Sequence, residues 1–113
     1  MAALRVLASV WLLILMSGCA GVLGGDIFFD QVDKLESSLE ASDWKKIEKE
    51  ADELRKLYKE HRWKIQLIGD EGEYEGLYEA VSKLIAAAKE EDSTETRVEL
   101  ANVHRLLEDI YSL

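Results

Sequence analysis

The chain has 113 residues, with 14 Lys or Arg against 23 Asp or Glu, a formal charge of −9, one Cys and no Pro. A single Cys excludes an internal disulfide and a Cys-built zinc site, and a pI near 4.7 argues against non-specific nucleic-acid binding. With 48% hydrophobic residues the chain has the apolar content of one globular domain, which excludes disorder throughout.

Residues 1–25 differ from the rest. Arg5 is the only charge before Asp26, and within Val6–Met16 only Ser9 is polar. A basic start, a short apolar segment and the small residues Ser17, Gly18, Ala20 and Gly21 around Cys19 read as an export signal. The Met16-Ser17-Gly18-Cys19 run resembles the lipobox of bacterial lipoproteins. That resemblance implies cleavage before Cys19 and lipidation of its thiol with diacylglycerol, palmitate being one such acyl chain. The alternative is an uncleaved anchor, because Val6–Gly24 carries no charge and is about long enough to span a bilayer. A third is a simply secreted product. Both attached forms leave residues after 25 on the extracytoplasmic side of the cell membrane, by the positive-inside rule. The expected organisation is a signal peptide over 1–18, a short linker over 19–25 and a bundle domain over 26–113.

From Asp26 onward the period is helical. A first helix over about 26–41 carries Phe28, Val32, Leu35 and Leu39 on one stripe. A second over about 43–68 carries Trp44, Ile47, Ala51, Leu54, Tyr58, His61, Ile65 and Ile68 in a sustained heptad seam. A third over about 73–90 offers Tyr74, Leu77, Val81, Leu84 and Ala88, with Tyr78 and Ile85 widening the face. A fourth over about 94–112 offers Leu100, Val103, Leu106, Leu107 and Ile110. Ser42 or Asp43 can cap the second helix, Gly69-Asp70-Glu71-Gly72 reads as a turn, and Asp92 with Glu95 fits a capping arrangement for the fourth. Short links predict antiparallel neighbours. The fold class is therefore all-α, an antiparallel three- to four-helix bundle, in which the first helix either completes the bundle or acts as a stalk.

The span from Asp43-Trp44, through Trp63, Leu84, Asp92 and Glu99-Leu100-Ala101, to Leu106-Leu107-Glu108 resembles a family of small, uncharacterised, membrane-attached helical proteins of Gram-positive bacteria, a domain of unknown function. The resemblance implies a helical fold in an exported, membrane-attached setting and supplies no catalytic residue. Members of that family often carry a His between the second and third helices. Here that turn is Gly69-Asp70-Glu71-Gly72-Glu73, so no role for that His carries over.

Candidate chemistry is sparse. His61, on the seam, reads as a structural histidine. His104 and Glu108, four apart, read as an exposed hydrogen-bonded pair rather than the start of a metal site. The acidic turn Asp70, Glu71, Glu73, Glu75 lacks the spacing of an EF-hand loop. Residues 42–68 hold eight Lys or Arg and six Asp or Glu against an otherwise acidic chain. Either this strip docks an anionic partner, or its lysines pair along the helix as Lys46–Glu50, Lys49–Glu53, Asp52–Lys56, Lys56–Glu60 and Glu60–Lys64, the simpler expectation.

Trp63 and Leu67 fall away from the seam. They form a candidate protein contact, unless the first helix covers them with Phe28 or Phe29. No nucleophile–base arrangement, phosphate loop, metal motif or cofactor motif is present in the sequence. The reading that follows is a non-enzymatic interaction or structural module of the cell envelope. It is held at the membrane by lipid on Cys19 or by an N-terminal anchor, binds another protein or itself, and needs no cofactor, metal or nucleic acid. The alternative is a sensory bundle that holds a small molecule or metal near His61 and Tyr58.

Overall fold

The computed structural model describes residues 25–112. The signal segment 1–18, the lipobox with Cys19, the linker up to Gly24 and the alternative anchor Val6–Gly24 lie outside the described residues. Four helices follow one another: α1 (Gly25–Glu40), α2 (Trp44–Ile68), α3 (Glu71–Lys89) and α4 (Ser93–Tyr111). Each packs on its chain neighbour, and α1 also packs on α4, so the helices close an up-down-up-down four-helix bundle. The first helix is thus part of the bundle and not a stalk. No helix among the described residues is long and apolar enough to cross a membrane.

The expected stripes supply the core. Phe28, Val32 and Leu35 from α1 are almost fully buried, as are Ile47, Leu54 and Ile65 from α2. Leu77, Val81 and Leu84 from α3 meet Val103, Leu107 and Ile110 from α4 in the same cluster. The seam frays at its two ends, where Trp44 and Ile68 are only partly buried. On α3 the widening of the face is one-sided: Ile85 is buried, whereas Tyr78 is half exposed.

The α1–α2 and α3–α4 links are built alike. Ser42 and Glu91 both adopt φ of 53°, in the left-handed region. At the first link the Ser42 N–H donates to Leu39 O and the Asp43 N–H to Ser38 O. At the second, Glu91 donates to Ala88 O and Asp92 to Ala87 O. This is the Schellman closure, which satisfies the last carbonyls of the outgoing helix. The following aspartate then caps the incoming helix: Asp43 Oδ1 accepts from the Lys46 N–H and Asp92 Oδ1 from the Glu95 N–H. Asp43, not Ser42, is therefore the cap. The α2–α3 turn is different. Asp70 and Glu73 form a reciprocal capping box, with side chain to backbone distances of 2.8 and 2.9 Å. This box starts α3 at Glu71, two residues before the position the apolar period suggests.

One end of the bundle collects the start of α1, the α2–α3 turn and the end of α4. A Cβ on Gly25 would lie 3.2 Å from the Tyr111 ring, and one on Gly69 would lie 3.2 Å from Ile110. The chain therefore leaves the N-terminal segment at the end of the bundle where α2 finishes.

Candidate functional site

Trp63 and Leu67 lie on the last two turns of α2, on the side away from the seam, and are 61% and 76% exposed. Helix α1 does not cover them. Its Phe28 ring stands edge-on to His61, with centroids 5.9 Å apart, and its Phe29 ring meets His104 and Tyr111. The Lys64 ammonium sits 5.4 Å from the Trp63 ring centroid, a cation–π contact at the surface. The candidate contact pair of the sequence is thus an uncovered apolar tip on a charged helix.

The charges around it differ from the expected pairing. None of the five i, i+4 pairs proposed along α2 closes to 4 Å, and the ion pair found on this helix is Asp52–Arg55 at 3.7 Å. For two of the five pairs the reason lies in the α1–α2 interface. Glu50 is 6% exposed, and its Oε2 accepts from Ser38 Oγ at 2.8 Å. Gln31, also buried, donates through Nε2 to the Glu50 carbonyl at 2.9 Å and to Glu53 Oε2 at 3.2 Å. Two of the carboxylates that were to pair with Lys46 and Lys49 are instead hydrogen-bonded to α1. This polar cluster was not read from the sequence. Gln31 and Ser38, one on each side of the Val32–Leu35 stripe, were its only sign.

His104 forms the exposed pair with Glu108 that its spacing suggests and meets a second carboxylate as well. It lies between two carboxylates: Nε2 is 3.1 Å from Glu108 Oε1, as its spacing suggests, and Nδ1 is 3.9 Å from Glu36 Oε1 on α1. These residues line a shallow cleft of about 420 Å³ between α1 and α4. Among the described residues, no group of three or more His, Cys, Asp or Glu is placed to hold a metal ion.

His61 and Tyr58 share the seam but face different neighbours. Tyr58 turns toward α3, where its hydroxyl donates to Tyr74 O at 3.2 Å and its ring lies 5.6 Å from that of Tyr78. Tyr58, Tyr74 and Tyr78 line a groove of about 560 Å³ with two basic groups, Lys59 and Arg62, and two acidic ones, Glu75 and Glu79. Burial pushes the Tyr58 phenol above its ordinary value, partly opposed by the Arg62 charge. Burial does the same to Tyr111, whose hydroxyl finds no hydrogen-bond partner among the described residues.

Residues 25–113 match the family described as a domain of unknown function, DUF4363. The chain belongs to this family. The match begins at the first residue of α1 and so covers the whole bundle. No curated protein and no solved structure matches the chain. The DUF4363 domain therefore has to be read from its own surface, and the exposed α2 face is its most distinctive part.

Proposed function

We infer that this DUF4363 protein is an interaction or structural module of the cell envelope rather than an enzyme. It is tethered to the outer face of the cell membrane through lipid on Cys19 and makes its contact through the α2 surface around Trp63 and Leu67. The observation that carries this reading is an uncovered Trp–Leu pair on a closed bundle, and the N-terminal sequence, which reads as an export signal with a lipobox-like end, supports it. A bundle with a closed core has no internal need to expose that pair, and an exposed Trp beside a Leu is a typical contact nucleus.

The tether is tested by the mass of the mature protein from its native host. A product that begins at Cys19 and carries acyl mass is expected, and Cys19→Ala should abolish both cleavage and acylation. A full-length membrane product unchanged by Cys19→Ala would replace the lipid tether with an uncleaved anchor.

The tyrosine-lined groove favours a second reading, a bundle that holds an aromatic or anionic small molecule between α2 and α3. Lys59 and Arg62 would meet the charge, and Tyr58 and Tyr78 would stack on the ring. Thermal melting against a panel of envelope metabolites and divalent metals tests it. A ligand-dependent rise that Tyr78→Ala removes would support it, and a flat response would leave the contact module alone.

A further inference from the structure

The exposed face of α2 is one continuous stripe. Lys45, Lys49, Lys56, Lys59, Trp63 and Leu67 succeed one another at helical spacing, all exposed. Among the described residues none of the four lysines has a carboxylate within 4 Å. The acidic groups on or beside the stripe are Asp52, held by Arg55, Glu48 on one flank and Glu60 on the other, and Glu75 and Glu79 of α3 share the groove beside Lys59. Elsewhere the balance is opposite: outside residues 42–68 and beyond Arg5 the chain holds five Lys or Arg against seventeen Asp or Glu. The domain is therefore an acidic body with one basic face, and that face ends in an apolar tip.

We propose that this face seats the domain on an anionic phospholipid bilayer, with lysines over the headgroups and Trp63 and Leu67 inserted at the headgroup boundary. Three observations point to lipid. Lysines followed by Trp and Leu on one helix face form the pattern of an interfacial helix, in which charge attracts and the apolar tip inserts. The acidic remainder is repelled by the same surface, so only one orientation is favoured. The third is position. The Phe28–His61 contact puts the last turns of α2 level with the first turn of α1, where the chain arrives from its N-terminal segment. Six peptide steps from Cys19 to Gly25 reach at most about 20 Å, which keeps Trp63 close to the bilayer. The proposal rests on the membrane tether inferred above and specifies the occupant of its contact surface.

The test uses the acylated protein purified from its native host, reconstituted in vesicles of phosphatidylglycerol and phosphatidylcholine, or of phosphatidylcholine alone. With Trp11→Phe and Trp44→Phe, Trp63 is the sole indole, and brominated lipids report its depth. The expected result is a blue-shifted emission, quenched at least about two-fold in the anionic vesicles. High salt, or Lys49→Glu with Lys56→Glu and Lys59→Glu, should remove most of that quenching. A chain that floats with the vesicles while Trp63 stays unquenched in both would overturn the docking and leave the tether standing. A chain that does not float with either vesicle would overturn both. A blue shift that depends on protein concentration, without lipid quenching, would assign the face to a second copy and overturn the proposal. In the unaltered chain, amine labelling of Lys49, Lys56 and Lys59 should be about three-fold slower relative to Lys83 and Lys89 on anionic vesicles than in detergent. Equal relative rates would count against it whatever the folding of the tryptophan variants.

Discussion

The two hairpins of this bundle close with the same turn and pack with different chemistry. In α1–α2 and in α3–α4 a left-handed residue ends one helix and an aspartate caps the next. Between α1 and α2, however, the Gln31–Ser38–Glu50–Glu53 cluster hydrogen-bonds one helix to the other, whereas in the α3–α4 hairpin the buried Thr96 and Glu99 bond locally, to Asp92 O and Asn102, and Gly76 lies close under Leu106. The difference shows two ways of setting a helix pair. Apolar contact supplies the larger stabilisation but tolerates slippage, while directional hydrogen bonds fix the register at a lower net gain. The polar solution has a second effect here. It draws carboxylates inward and leaves the lysines opposite them unpaired.

The comparison can be broken at several points. The largest effect is expected in the apolar half, where Leu84→Ala should cost about 2–5 kcal/mol in urea unfolding, since Leu84 is fully buried. In the polar half, Glu50→Ala strands the Ser38 hydroxyl and should cost about 1–3 kcal/mol. Pairing Ser38→Ala with Glu50→Leu should recover much of that loss, and a double variant as unstable as the single one would mean that the cluster contributes more than its desolvation cost.

The shared turn predicts a gain. Ser42→Gly and Glu91→Gly each relieve a left-handed L-residue and should stabilise by up to about 1 kcal/mol, equally in both hairpins. Unequal gains would show that the turns are alike only in outline.

Alkaline titration should act on both hairpins, through Tyr58 on α2 and Tyr111 on α4. Tyr58 and Tyr111 have folded pKa values above 10.0, the ordinary value for the unfolded chain. The stability they contribute is complete below that value and is lost as pH rises through the folded pKa. The urea midpoint should therefore fall as pH rises above about 10, and Tyr58→Phe should reduce the fall. The smallest effect is Trp63→Ala, which should alter stability by no more than about 0.5 kcal/mol. A larger loss would mean that Trp63 packs within the domain and is not a contact residue.

Much of this architecture was legible without coordinates. The stripes at Phe28–Leu39, Ile47–Ile65, Leu77–Ala88 and Leu100–Ile110 are the core, because a period near 3.6 residues can bury its apolar side only against other helices. Asp43 and Asp92 could be read as caps because a side-chain acceptor three residues before an unsatisfied N–H is a local matter. The angle of Trp63 and Leu67 to the seam placed them off the core, but that α1 leaves them uncovered followed only from the packing of Phe28 and Phe29 elsewhere. Less legible was the start of α3, where the capping box outreaches the apolar pattern.

What the order of residues determined by itself was each helix, its ends and the side it buries, since these depend on neighbours within a few positions. What only the tertiary structure decided was whether α1 joins the bundle, and which charges meet. Glu50 and Lys46 stand at the right spacing to pair, but spacing along a helix does not reveal that a second helix will offer Ser38 to the same carboxylate. Burial between helices outweighs a surface ion pair worth a few tenths of a kcal/mol, and so the packing of α1 on α2 sets the charge of the opposite face.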